Sequence, residues 1–377
     1  MNNPTPGNGS LSPFPMFPNR NGEDSAHPSY NLNSTEHSQS EDRVSKTNAV
    51  ITGWGAHCPS RILTNRELEA MVETDDAWIV SRTGIRERRI AEPHETSMSL
   101  GLEAAKLALE RAHIAPSELD LVIFATTTPD YLLPASACLI QQKLGAHKAG
   151  AFDLNAACSG FLYGLATGSQ FIQCGTFRRV LLVTGETLTR FVNWKDRSTC
   201  ILFGDGAAAV VLEATKRKSV GLLSTVLGSR GDVEKMLVIE AGASARPGTS
   251  ETVAAGDHFI RMRGNEVFKL AVRNMAQAAR DALDKAGLTL DDIKAVIPHQ
   301  ANQRILNATR AALDLPVEKM FVNLDRYGNT GAASIPIAMC EYFEQHPAQR
   351  GDNFLLIAFG GGLTWAAAVI RWDDLHA

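Results

Sequence analysis

Residues 151–164 read AFDLNAACSGFLYG. A short apolar strand over 151–156 breaks at Asn155-Ala156-Ala157 and resumes as an apolar helix that begins at Cys158. A thiol at a helix start faces unpaired N–H groups and the positive end of the macrodipole, which favour the thiolate by ~0.3–1 kcal/mol, or ~2 kcal/mol when partly buried. That is about one pKa unit, so a nucleophile near neutral pH needs a further basic or cationic neighbour. Cysteine is also among the most buried residue types, and taken alone this stretch reads as an inert core cysteine. What decides both fold and chemistry is whether the junction recurs.

Outward from it, β-rich runs alternate with amphipathic helices, the layout of an α/β fold with covered sheets. Strands are expected at AVITGWGAHCP (49–59), LDLVIFATTT (119–128), AFDLNA (151–156), RVLLVTGE (179–186) and AAAVVLEA (207–214). SMSLGLEAAKLALERAHI (97–114) has the three-and-four apolar spacing of a one-sided helix. The second half repeats the order. The helix NEVFKLAVRNMAQAARDALDKAGL (265–288) precedes IKAVIPHQ (293–300), KMFVNLDRYGNTGAASIPIAMCEYF (319–343) replaces the Cys158 segment, and NFLLIAFGGGLTWAAAVIRW (353–372) replaces the last two strands. Matching positions lie about 170 to 175 residues apart, which predicts an internal duplication of two halves, 47–218 and 219–377. On this reading His299 stands at the carboxyl end of a strand, where α/β folds place their sites, and Asn329 stands at the junction equivalent to Cys158. Each residue alone has a blander reading, His299 as a structural histidine and Asn329 as a turn residue. On matching elements the pair carries more weight.

Residues 1–46 are rich in Asn, Ser, Pro and Gly and read as a disordered tail with neither a secretory nor an organellar signal. The 44% hydrophobic and 21% charged content of the chain fits a globular protein, with no apolar run long enough to span a membrane. A net charge of -4 excludes the basic footprint of a nucleic-acid binder. Six scattered cysteines without a CxxC pair predict neither zinc nor disulfides, and a reducing cytoplasm fits them.

The segments NAACSGF, PHQANQRI, GNTGAASIP, FGGGLTWAAAVIRW and TDDAWIVSRTGIRERRI together resemble the β-ketoacyl-acyl-carrier-protein synthase III family of the thiolase superfamily, from about Asn48 to Trp372. The resemblance implies a thiolase-like α/β fold of two duplicated halves in five layers, α-β-α-β-α. It implies an acyltransferase that moves a short acyl group from acyl-CoA, acetyl-CoA by default, to a cysteine. Malonyl-acyl carrier protein is then decarboxylated and its carbanion condensed with the acyl-enzyme. Carried over, Cys158 is the nucleophile in a triad with His299 and Asn329, and the backbone N–H groups of Cys158 and Gly361 form the oxyanion hole. Thr74, Trp78, Arg82, Arg197 and Asn302 bind CoA, with Trp78 and Arg197 sandwiching the adenine; Arg304 meets the carrier protein, with Arg310 and Lys269 as weaker candidates. Leu133 and Phe359 belong to the acyl pocket, Leu133 reaching that of a homodimer partner. No metal or resident cofactor is implied.

Within the same fold, thiolases need a second cysteine and elongating synthases a second histidine in place of Asn329. Relatives that make quinolones, polyketide starters or esters keep the same triad types and stay open, although the motifs favour the fatty-acid enzymes. A non-catalytic acyl-CoA or carrier-protein binding module would be marked by loss of Cys158, His299 or Asn329, and none is lost. A cysteine protease would also order Cys, His and Asn, yet its local signature around the cysteine is missing.

Overall fold

The computed structural model describes residues 47–217 and 219–373; the tail expected over 1–46 lies outside them. The first sheet joins β1 (Asn48–His57), β4 (Leu121–Ala125), β5 (Gly150–Leu154), β6 (Arg179–Thr187) and β7 (Asp205–Thr215) in the order β1-β7-β6-β4-β5. The second joins β8 (Gly221–Ser229), β11 (Ile293–Pro298), β12 (Asn353–Gly360) and β13 (Thr364–Arg371) in the order β11-β12-β13-β8. In each, a parallel pair (β4 with β6, β11 with β12) is extended by antiparallel strands. Where β5 pairs with β4, the second sheet has only an isolated parallel bridge, Val296 to Met320. Two short ribbons stand apart: β2 (Ile62–Thr64) with β3 (Glu87–Arg89), and β9 (Leu237–Ile239) with β10 (Ile260–Met262).

Period-two alternation sends neighbouring side chains of each central strand into different cores. From β4, Ile123 and Ala125 enter the core shared by the two sheets, while Val122 and Phe124 pack outward under α3 (Ser97–Ala112) and α4 (Ser136–Leu144). From β12, Phe354 and Leu356 enter the shared core, and Leu355 and Ile357 pack outward under α7 (Gly264–Ala286) and α8 (Gln303–Ala312). Between the sheets lie α5 (Gly160–Gln173) and α10 (Ser334–Gln345), contributing Phe161, Leu165, Ile335 and Met339. Five layers result, because two sheets buried on both faces need three layers of helix. α5 lies close on the first sheet because Gly164 and Gly168 face it. A Cβ on Gly164 would come 2.4 Å from Leu182 Cδ1, and one on Gly168 3.1 Å from Leu212 Cδ1.

The repeat is visible in the turns that open α5 and α10. Asn155 Oδ1 accepts from the Ala157 N–H at 3.1 Å, and Asn329 Oδ1 accepts from the Gly331 N–H at 2.9 Å. Ala157 and Gly331, at φ 47 and 57, each start the 3-10 turn that runs into the helix. Asn329 is therefore the counterpart of Asn155, three residues before the counterpart of Cys158, which is Ala332. This corrects the equivalence drawn from the sequence. The loop grammar, Asn followed two residues later by a residue at positive φ, sets the register, and the motif spacing alone does not reveal it. The stretch 219–264, for which sequence periodicity offers no element, holds β8, the β9–β10 ribbon and α6 (Ser250–Ala254).

Candidate active site

The two helix-opening turns and the carboxyl end of β11 converge on one cavity of about 490 Å³, lined among others by Cys158, His299 and Asn329. Cys158 is held from two sides. Thr364 Oγ1, at the start of β13, donates to Ala156 O at 2.8 Å, and a Cβ on Gly360 would come within 2.6 Å of the Cys158 amide nitrogen. The end of β12 can cross the Cys158 turn only because residue 360 has no side chain. Gly361 lies beside it against Leu237 and Ala157, outside the cavity lining.

The electrostatics reverse the expectation from the helix start. Burial pushes the Cys158 thiol up to about 12, and the nearby Glu186 pushes in the same direction; the hydrogen bond from its own backbone N–H opposes them and loses. Desolvation of a thiolate outweighs about one unit from a helix start. Glu186 was not foreseen. Fully buried at the end of β6, it accepts from Thr127 Oγ1 and Thr128 Oγ1, each at 2.8 Å, and from the Thr127 N–H at 3.0 Å. Burial nevertheless pushes it up to about 7.

His299 directly follows β11 and is 2% exposed; burial pushes its imidazole down to about 4, so it is neutral across the working range. Its Nδ1 lies 2.6 Å from Ser334 Oγ, the first residue of α10, which also accepts from the Gln300 N–H at 3.3 Å. Ser334 is a second residue that the sequence reading missed, hidden among the small residues of GNTGAASIP. The Asn329 backbone is clamped into a parallel bridge with Phe203: its N–H donates to Leu202 O at 2.8 Å and its O accepts from the Gly204 N–H at 3.0 Å. With Oδ1 committed to Gly331, its Nδ2 has no partner among the described residues.

Trp78, Arg82, Asn302, Arg304 and Phe359 also line the cavity. α2 (Asp76–Thr83) carries Trp78 and Arg82, and Asn302 caps α8 by accepting from the Arg304 N–H at 2.8 Å. The Arg82 and Arg197 guanidinium carbons lie 5.8 and 5.1 Å from the Trp78 ring centre, so Arg197 joins the indole from outside the lining. Thr74 is half-buried beside this group, also outside the lining, with its hydroxyl unpartnered. Arg310 is spent on Leu315 O at 2.9 Å, and Lys269 is exposed outside the cavity. Leu133 is 87% exposed and does not line its own chain's cavity. The wall is apolar: Leu202, Phe203, Leu237, Met262, and Val267, Ala271 and Met275 from one face of α7. At helical spacing such residues look like ordinary core, which is why the sequence does not flag them.

Models of the 3-oxoacyl-[acyl-carrier-protein] synthase III family match residues 152–231, and those of its C-terminal part match 283–372. The β-ketoacyl-[acyl-carrier-protein] synthase III of Roseiflexus castenholzii is 53% identical over 325 residues, covering 86% of this chain and 98% of its own. Among solved structures, 3-oxoacyl-[acyl-carrier-protein] synthase III from Aquifex aeolicus is 46% identical with a TM-score of 0.79, over 86% of this chain and all of its own. The priming β-ketosynthase of the R1128 polyketide pathway is 35% identical with a TM-score of 0.81, over 87% of this chain and 97% of its own. The chain thus belongs to the β-ketoacyl-acyl-carrier-protein synthase III family, with its thiolase-like fold, and is an acyltransferase of that type performing the initiating condensation of fatty acid synthesis.

Proposed function

We propose that Cys158, His299 and Asn329 perform a decarboxylating condensation of a short acyl-CoA with malonyl-acyl carrier protein. The observation that carries this is the pair of neutral donors beside the thiol. In this reading Ser334 Oγ accepts from the Gln300 N–H and donates its own hydrogen to His299 Nδ1, the tautomer that keeps the imidazole proton on Nε2. Nε2–H and the uncommitted Asn329 Nδ2 are then two uncharged donors on one cavity. Such donors suit an enolate oxygen, where charge develops as carbon dioxide leaves.

In the first half-reaction the Cys158 sulfur attacks the acyl-CoA carbonyl, the C–S bond to CoA breaks, and the thiol proton leaves with CoA. Because the resting thiol sits near 12, this proton must move as the attack proceeds rather than beforehand. The Cys158 and Gly361 amides serve as the acyl oxyanion donors. In the second, malonyl-acyl carrier protein loses carbon dioxide and its α-carbon attacks the acyl-cysteine carbonyl. The Cys158 C–S bond breaks, releasing 3-oxoacyl-acyl carrier protein, and the departing thiolate takes one proton from solvent to restore the resting thiol.

Trp78 and Arg197 hold the adenine of CoA, with Thr74, Arg82 and Asn302 along the channel and Arg304 at the rim for the acidic carrier. The exposed apolar tip Tyr131-Leu132-Leu133, up to 87% exposed, suits burial in a homodimer, and Leu133 then faces the partner's pocket beside Phe359. The two Asn-led turns support an internal duplication with halves meeting near residue 218. The enzyme works in the cytoplasm with no resident cofactor.

Intact mass after mixing with acetyl-CoA should show one acyl adduct, lost in Cys158→Ser. His299→Ala and Asn329→Ala should still acylate yet decarboxylate malonyl-acyl carrier protein about 10²–10³ times more slowly. Equal losses in both half-reactions would overturn the assignment.

A further inference from the structure

Among the described residues Arg88 is the largest fully buried side chain, 0% exposed, and none of its hydrogen bonds goes to a carboxylate. Nη1 donates to Leu63 O at 3.3 Å and Asn65 Oδ1 at 2.8 Å, and Nη2 donates to Ile201 O at 2.8 Å. Nε has no partner. Burial lowers the group to about 10, so it stays charged at neutral pH. Glu87 opposes that shift through its charge, but a buried cation with no hydrogen-bonded counter-ion is expensive, and a fold has no need of one where an apolar side chain would pack.

What Arg88 joins gives that cost a purpose. On one side, Asn65 passes the contact to α2: its Nδ2 donates to Asp76 Oδ1 and to Ile85 O, each at 2.8 Å. α2 carries Trp78 and Arg82 at the cavity. On the other side, Ile201 precedes the Leu202–Gly204 segment that clamps the Asn329 backbone. The turn is also packed on Arg88 directly, since Cβ atoms on Gly204 and Gly328 would lie 3.1 and 3.4 Å from Arg88 Cβ. A second tie runs from the Arg86 N–H to Asp325 O at 2.9 Å, in α9 (Leu324–Tyr327), immediately before the Asn329 turn.

We propose that Arg88 is a positioning residue for the condensation, its guanidinium fixing the cavity-mouth helix α2 and the Asn329 turn at a set separation through Asn65 and Ile201. The proposal rests on the role given above to Asn329. A flat, forked cation suits the task because it bonds carbonyl and amide oxygens in several directions at once, which a lysine ammonium on a flexible stem does not reproduce.

The test is Arg88→Lys in the full chain, beside wild type and Asn329→Ala. Expected are a fall of about tenfold or more in kcat for malonyl-acyl carrier protein decarboxylation and a raised KM for acetyl-CoA, with Cys158 alkylation by iodoacetamide in the absence of substrate kept within about twofold of wild type. A role in stability alone would lower the melting temperature and leave these ratios at wild-type values, which overturns the proposal. If Arg88→Lys does not fold, Asp76→Asn at the exposed end of the same chain of contacts takes its place, with a drop of about threefold expected in the decarboxylation-to-alkylation ratio; an unchanged ratio again overturns it. If Asn329→Ala decarboxylates normally, the role of Asn329 fails first. If Asn329→Ala is impaired while the Arg88 and Asp76 variants are not, only the positioning role fails.

Discussion

In the condensation proposed above both enolate donors are uncharged, so the neutrality of His299 is the property most worth perturbing. Its imidazole titrates near 6.5 when unfolded and about 4 when buried, so between those values the unfolded chain binds the extra proton. Stability from this group is therefore complete above pH 6.5 and is lost as pH falls toward 4. Integrated between pH 7.5 and 5.0, the two titrations give a loss of about 2 kcal/mol. His299→Gln removes the titration and keeps an amide in the site; its packing and hydrogen-bond cost does not depend on pH and enters as a constant offset. Urea unfolding of both proteins at matched concentration, from pH 5.0 to 7.5, should show wild type gaining about 2 kcal/mol on the variant as pH rises. Other titrating groups are common to both proteins and cancel. A difference that stays flat, or shrinks as pH rises, would refute the argument. A flat difference would mean that the fold leaves the imidazole at its ordinary value, and a shrinking one that the site holds it as a cation instead of a neutral donor.

The opposite slope is expected from Glu186, raised from 4.5 to about 7. Its contribution is complete below pH 4.5 and is lost by pH 7, so Glu186→Gln should remove a fall of about 3 kcal/mol across that window in the same urea series. Gly164→Ala forces a methyl to within 2.4 Å of Leu182 Cδ1 and should cost about 1–3 kcal/mol, read as a lower melting temperature. Gly360→Ala drives a methyl against the Cys158 amide, 2.6 Å away, and should slow acetyl transfer to Cys158 about 10²-fold while circular dichroism stays that of wild type.

Central strands and long helices were legible because burial on both faces leaves an unbroken apolar run, as in Leu121–Ala125, and one-sided burial leaves the spacing of Ser97–Ala112. β8 to β10 were not, since buried positions such as Leu222, Ser224 and Ile260 are mixed with partly buried and exposed ones in neither period. The chemistry divides in the same way. Cys158, His299 and Asn329 stand in the sequence at strand ends and helix starts, and all three line one cavity. What surrounds them is assembled from a distance: Glu186 from β6, Ser334 from α10 and Gly360 from β12. A helix start can be read from fourteen consecutive residues, but the desolvation that overrides it comes from elements far along the chain. Sequence alone therefore gives the wrong sign for the Cys158 thiol. A thiol held near 12 is protonated at neutral pH, so acylation requires its proton to move during the attack. In the mechanism proposed above the leaving CoA sulfur accepts the proton and the two enolate donors stay uncharged, and the apolar wall of the cavity favours both.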